Sequence, residues 1–288
     1  MEQLWTQLAL QSINGFVLGM NLALIASGLA LIFGVMDVVN FAHGEFYMLG
    51  AYLTWLIMQF IPSFALNLVV APIIVSALGI VILYALLKSV LGKKAIYTLL
   101  ATYGIGMALR ELVLIFFGGT SKSIQPPIET KITILTMEYS LYRFFILICS
   151  LLVIVGLWLF LKKSKYGLWI RATAQDHEMA AAIGISRPLI YAIVFGVGSG
   201  MASIAGILMA PLTTVYHTMG IDILLLAFII VVVGGMGSLK GALIASLLIG
   251  EVQAVGSIFI KPTYAFILCQ ILLMVILLVR PQGILEKR

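Results

Sequence analysis

Charge is what this sequence lacks. Asp, Glu, Lys and Arg make up only 10% of its 288 residues, against about a quarter in soluble globular proteins. With 62% hydrophobic residues and a mean hydropathy of +1.18, that scarcity excludes a soluble domain, whose core cannot absorb so much apolar surface. Cysteine is also scarce. Cys149 and Cys269 lie within apolar segments without CxxC spacing, so they read as buried thiols. No GxxxxGKS/T run occurs, which leaves no phosphate loop for ATP. Lys240 follows a Gly-rich run, but its spacing to Gly234 and Gly235 is wrong for one. Basic residues are missing before the first apolar run, so the N-terminus lacks the form of a cleavable signal peptide. The first helix is expected to act as its own insertion signal.

What is present is a series of apolar segments, at 9–33, 41–61, 66–87, 97–117, 143–161, 189–210, 222–237, 240–259 and 264–280. The runs are continuous rather than alternating, which excludes an outer-membrane barrel. The expectation is an all-α, polytopic transmembrane helix bundle of about 8–10 spans, forming one transmembrane domain over residues 1–288. Net charge is +6, but the cations sit at segment ends, as the positive-inside rule requires, and not in a nucleic-acid-binding patch. Lys88, Lys93 and Lys94 mark one cytoplasmic loop; Lys162, Lys163, Lys165, Arg171 and Arg187 mark a second. Arg280, Lys287 and Arg288 place the C-terminus on the same side. The 118–142 loop, where Lys122 and Lys131 mix with Glu129 and Glu138, fits the outside. Alternation then puts the N-terminus outside, unless a segment before residue 66 turns back.

A polar cluster interrupts the apolar pattern at 34–45. Asp37, Asn40, His43, Gly44 and Glu45 fall within one short window. Such groups are tolerated near hydrocarbon only where protein or water satisfies them, so the cluster suits a conduit. Asn40 is placed to cap a helix beginning near Phe41, and a helix N-terminus facing a midplane cavity offers N–H groups to a carboxylate. His43, Glu45 and Asp37 do not share a helical face, so no metal site is expected. A second interruption is the run Gly234-Gly235-Met236-Gly237-Ser238-Leu239-Lys240-Gly241. Two Gly-interrupted segments, each followed by a small-residue-rich helix, point to an inverted repeat with a pathway between broken helices. The pairs Gly15/Gly19, Gly196/Gly200 and Gly237/Gly241 have GxxxG spacing. The first two read as helix packing; the third fits packing or a kink beside the path. Arg110 and Glu111 are adjacent, about 100° apart on a helix, so each is expected to find a partner on another helix or to lie near an interface.

The 162–188 loop carries the second strong signal. Its middle is rich in alanine and helix formers, Gly184 suits a C-cap, and Pro188 suits a following first turn. A short cytoplasmic helix lying across the membrane face is expected, with Ala180, Ala181 and Ala182 as a smooth contact surface. The segment Glu178-Met179-Ala180-Ala181-Ala182-Ile183-Gly184 resembles the "EAA, three residues, Gly" signature of bacterial ABC-importer permeases, with Met179 departing from it. Five further runs occur in family order: Gly28 to Gly34, Asn40-Phe41-Ala42-His43-Gly44-Glu45, Leu49-Gly50-Ala51-Tyr52, Arg171-Ala172-Thr173-Ala174, and Gly234-Gly235-Met236-Gly237-Ser238. Over nearly the whole chain the sequence resembles the permease of high-affinity branched-chain amino-acid ABC importers.

That resemblance implies a translocation subunit in the bacterial inner membrane, not itself an enzyme and without a cofactor of its own. Two cytoplasmic ATPase subunits would bind the ATP, beside a second permease and an external solute-binding protein. The polar cluster and the Gly-rich run give the expected pathway residues: Asp37, Asn40, His43, Gly44, Glu45, Gly234, Gly235 and Gly237. The resemblance also implies ATPase coupling through Gly167, Arg171, Ala172, Ala174, Asp176, Glu178, Ala180, Ala181 and Gly184. Urea, short amides or other amino acids remain alternative cargoes within the family. A stand-alone secondary transporter or channel, and an intramembrane hydrolase using Ser199 and His217, are the competing classes.

Overall fold

The computed structural model describes residues 2–134 and 137–279. Every one of the nine apolar segments forms a helix. In chain order these are α1 (Glu2–Met36), α2 (His43–Phe60), α3 (Phe64–Ile82, continued by a π-helical turn Leu83–Leu87), α4 (Ala95–Phe117), α5 (Leu141–Lys163), α8 (Arg187–Met209), α9 (Met219–Gly234), α10 (Leu239–Phe259) and α11 (Pro262–Val279). Two short helices, α6 (Lys165–Gln175) and α7 (His177–Ala182), fill the 162–188 loop. Among the described residues, six helices are long and apolar enough to cross a membrane. The chain is thus a multi-pass membrane protein. The 118–142 loop is not wholly irregular: β1 (Lys131–Ile134) and β2 (Met137–Ser140) pair antiparallel, Lys131 opposite Ser140, and Lys131 Nζ meets Glu138 Oε2 at 2.7 Å.

α1 is the axis. Its 35 residues span roughly 50 Å at the helical rise, and it packs along α10 and α8. Close approach in lipid depends on small residues. A Cβ on Gly15 would strike Glu251, one on Gly19 would strike Leu247, and one on Gly250 would meet the Gly15 carbonyl and the Gly19 amide. The GxxxG pairs at 15/19 and 196/200 are therefore packing positions: Gly196 seats Ile80 and Gly200 seats Ser76.

The bundle has a basic end and a far end. The loop after α3 and the α6–α7 segment share the basic end, where Lys93, Asp176, His177 and Arg187 line one cleft with Met36 and Asp37. The far end holds the β-hairpin and the start of α1, joined by Tyr139 Oη and Arg143 Nη1, which both donate to Asn14 Oδ1 at 2.9 and 2.8 Å. Arg280, Lys287 and Arg288, expected to mark the C-terminal side, lie outside the described residues.

Two crossings are made in two parts. From the basic end of α1 the chain returns as non-helical backbone over 37–42 before α2 begins. His43 Nε2 lies 3.1 Å from the Ile25 carbonyl, about three turns back along α1. Gly106, halfway along α4, packs on Ala42 and Glu45. So α2 starts at half depth and heads for the far end, where Trp55 and Tyr52 meet Phe117 at the end of α4. Conversely, 210–218 enters from the far end, tied there by the bridge between Lys122 and Val215. Then α9 starts beside Gly44 and descends to the basic end. Broken, oppositely directed crossings were expected from the sequence, but the counterpart of 37–42 is 210–218. The 234–241 run is instead a tight turn at the basic end, where Gly241 abuts Gly234 and Gly237 abuts Gly34. Two positive-φ glycines, Gly235 at 97° and Gly237 at 83°, make that turn.

The packing role of glycine is testable by contrast. Gly250→Ala should destabilise the detergent-solubilised protein by about 1–3 kcal/mol through overpacking. Gly156→Ala, whose Cβ would meet nothing within 4 Å, should leave the thermal midpoint unchanged or raise it. Equal midpoints for both variants would refute the tight α1–α10 seam.

Candidate functional site

Two helix N-termini meet at half depth. A Cβ on Gly44 would collide with the Gly220 carbonyl, and one on Gly220 would sit 2.5 Å from Glu45 Oε2. Only glycine at both positions lets the first turns of α2 and α9 touch. Each N-terminus carries partial positive charge from its free N–H groups. Glu45, 1% exposed, lies in the first turn of α2 and against the first turn of α9. Its Oε1 accepts from Arg110 Nη2 of α4 at 2.7 Å. Adjacent Glu111 is exposed on another side of α4, as the 100° offset requires.

The segment leading to this junction is held by side chains. Thr102 Oγ1 of α4 accepts from Phe41 N at 3.1 Å and lies 3.3 Å from the Val39 carbonyl. Asn40 is buried, and its Oδ1 accepts from Ala42 N at 3.1 Å. The expected cap near Phe41 is thus displaced: Asn40 closes a turn just before the helix, which begins at His43, while Ala42 at the cap position makes no side-chain bond. His43 is fully buried between α1 and α8. Below the junction, Phe41 packs between Tyr103 and Phe228, with ring centroids 6.5 and 6.0 Å away. Asp222 lies in the first turn of α9. That turn lies at half depth and not at the outer face, and Tyr216 Oη donates to Asp222 at 2.7 Å.

Asp37 is the one expected pathway residue of this group that stays outside, exposed at the basic end with φ of 52°. Its Oδ2 lies 3.5 Å from His177 Nε2, an ion pair when the imidazole is protonated. This joins the returning segment to α7. Gly234, Gly235 and Gly237 are also at the basic end, apart from Asn40, His43, Gly44 and Glu45. Gly237 lines a small cleft with Arg171 and Ala174.

The 162–188 segment departs from the single helix expected. Asp176 breaks it: its extended backbone ends α6, and its Oδ1 accepts from Glu178 N and Met179 N at 2.8 and 2.9 Å, capping α7. Gly184, at φ 87°, ends α7 as the spacing predicts. The Ile185 amide bonds the Ala180 carbonyl and the Gly184 amide bonds the Ala181 carbonyl, the paired closure of a left-handed C-terminus. Ala180 faces inward and is buried, so it is not on the contact surface expected of it. Ala181 and Ala182 are exposed, between Met179 and Ile183, which are 61% and 69% exposed. Gly167 lets α6 fold onto α5, since a Cβ there would strike the Phe160 and Leu161 carbonyls. Arg171 and Glu178 are exposed and Ala172 is half-buried.

With that geometry in view, residues 11–278 match the family described as branched-chain amino acid transport system / permease component. The chain belongs to that family. Among curated relatives, this permease is 30% identical to the high-affinity branched-chain amino acid transport system permease protein LivH of Salmonella typhimurium, covering 96% of this chain and 95% of the other. It is likewise 30% identical to BraD of Pseudomonas aeruginosa, with the same coverage. A probable LivH of Methanocaldococcus jannaschii is 25% identical over 94% of this permease. A solved structure, PsaBC from Streptococcus pneumoniae in complex with Fab, shares the fold, with a TM-score of 0.51 at 13% identity over 91% of this chain and 89% of that one.

The permease also places residues that the sequence left unassigned. Arg110 was expected to have a partner on another helix, but nothing in the sequence named Glu45. Gly220 carried no motif. The hydrolase reading lacks support, because Ser199 Oγ is bonded to the Phe195 carbonyl of its own helix at 2.7 Å. Among the described residues, no three His, Cys, Asp or Glu side chains group to hold a metal ion.

The ion pair makes a distinct prediction about stability. Arg110→Ala leaves a buried carboxylate unpaired and should cost about 3–5 kcal/mol, read as loss of folded protein in the membrane. Adding Glu45→Gln should recover most of that abundance; no recovery would mean that Arg110 acts through something other than its charge.

Proposed function

We propose that this permease is a translocation subunit of an ABC importer in the bacterial inner membrane, carrying branched-chain or other small amino acids inward. The observation that carries the reading is the family match over residues 11–278, together with the cargo in the names of its relatives. The basic end is assigned to the cytoplasm by its Lys and Arg content, with the C-terminus on that side. No phosphate-loop sequence is present, which supports ATP being bound by two separate cytoplasmic ATPase subunits rather than by this chain. An external solute-binding protein delivers cargo to the far end, and a second permease, paralogue or copy, completes the path within the lipid.

In this reading Asn40, His43, Gly44 and Glu45 form the path at half depth, and Asp37, Gly234, Gly235 and Gly237 form its cytoplasmic exit. The exposed face of α7 docks on an ATPase. Met179, Ala181 and Ile183 supply apolar contact there, with Glu178, Arg171, Ala172 and Ala174 around it. Gly167, Asp176, Ala180 and Gly184 fix the shape of the docking segment. The Asp37–His177 contact supports a mechanical link from α7 into the segment that ends at Glu45.

The complete assembly, reconstituted in liposomes with its binding protein, should take up leucine only with internal ATP. Uptake of urea or a short amide without leucine would replace the cargo. Ala181→Asp on the exposed face of α7 should leave the amount of permease unchanged but lower co-purification of the ATPase and uptake about tenfold, the loss of one well-packed interface position. Normal coupling in that variant would remove α7 from the interface.

A further inference from the structure

The Glu45–Arg110 pair is half used. Glu45 Oε1 takes the guanidinium, but among the described residues the buried Oε2 has no hydrogen-bond partner, and neither has the buried Nε of Arg110. A carboxylate has two acceptor oxygens and a guanidinium five donors, so a purely structural pair at this depth would be expected to spend more of them. That leaves one spare acceptor on the anion, lying against Gly220 at the start of α9, and one spare donor edge on the cation. Beside Arg110, α4 is largely uncovered by its own chain, and Arg110 keeps 18% of its side chain exposed where Glu45 keeps 2%.

We propose that this pair is the mid-membrane station for the charged head of the cargo: Arg110 takes the α-carboxylate and Glu45 takes the α-ammonium. The assignment rests on the importer reading above and names the two side chains that would read a zwitterion. The charges match without a net change, so the pair gives up its own contact to the ligand and regains it on release. An apolar lining lies on the same stripe of α4. Tyr103 precedes Arg110 by seven residues, which returns to nearly the same helical face. Tyr103 stacks edge-on against Phe41, which also meets Phe228. Aromatic faces there suit a branched apolar side chain, while the head is held one to two turns above. A neutral amide has no charge for either member of the pair, so the station favours amino acids over urea-like cargo.

Two variants test this in the reconstituted assembly, with radiolabelled leucine as the probe and uptake normalised to assembled permease. Glu45→Gln with Arg110→Gln removes both charges together and keeps a hydrogen-bonding pair, avoiding a stranded charge. Arg110→Lys keeps the charge opposite Glu45 but loses the Nε–H edge. Each should lower leucine uptake by about tenfold to a hundredfold, the loss expected for charge-assisted contacts to the cargo. If the double variant fails to assemble, Arg110→Lys decides alone. Uptake equal to the unsubstituted assembly in an assembled variant would overturn the station and leave a structural pair. An unsubstituted assembly without ATP-driven leucine uptake would instead overturn the importer reading, and this assignment with it.

Discussion

A carboxylate held at half depth in a membrane is the constraint around which this permease is arranged. Ionised carboxylates are costly there unless dipoles, hydrogen bonds and an opposite charge surround them. Glu45 has the first turn of its own helix beneath it, the first turn of α9 beside it, and the Arg110 guanidinium at 2.7 Å. Each of those three supports imposes something elsewhere. The first requires a helix that starts in mid-membrane, hence the returning segment at 37–42. The second requires an opposed half-helix, hence the entering segment at 210–218 and glycines at positions 44 and 220. The third requires a cation on α4, a helix that otherwise touches little of its own chain.

Non-helical backbone at membrane depth has to be satisfied by protein, and here the burden falls on a few side chains. Thr102 serves both Val39 and Phe41, and Asn40 serves Ala42. The longer helices enclose the break. α1 and α8 bury His43 between them, and close approach across the glycine seams leaves no room for lipid at the junction. Glycine seams along the long helices and the glycine contact between the two half-helices are therefore one design, in which close backbone approach encloses the break.

The sequence made much of this legible, for definite reasons. Long apolar runs fix helices, and all nine were readable. Gly184 as a helix end was readable because only a left-handed closure uses glycine that way. The cluster from Asn40 to Glu45 stood out because charge is rare in the chain. What could not be read was partnership. Arg110 and Glu45 are 65 residues apart, and no local pattern joins them. The second broken crossing was misplaced at 234–241 because four glycines within eight residues look like a break. In fact Gly235 and Gly237 turn the chain at the basic end, and Gly234 and Gly241 seal that turn. The true break, near Gly220, has a single glycine that matters only because Gly44 lies against it. Likewise Ala180 and Ala181 are alike in sequence and opposite in orientation, since the cap from Asp176 sets the rotation of α7.

The geometry also says how a push at the basic end reaches half depth. Asp37 stands beside His177 on α7, and six residues later the chain enters α2. Those residues turn at Asp37, with φ 52°, and again at Asn40–His43, and Thr102 holds Phe41 and Val39 between the turns. In the proposed coupling, a displacement of α7 would reach the first turn of α2 along this segment, where Glu45 touches both half-helices. Because the α9 N-terminus rests on the same carboxylate, the first turns of α2 and α9 share one contact at half depth.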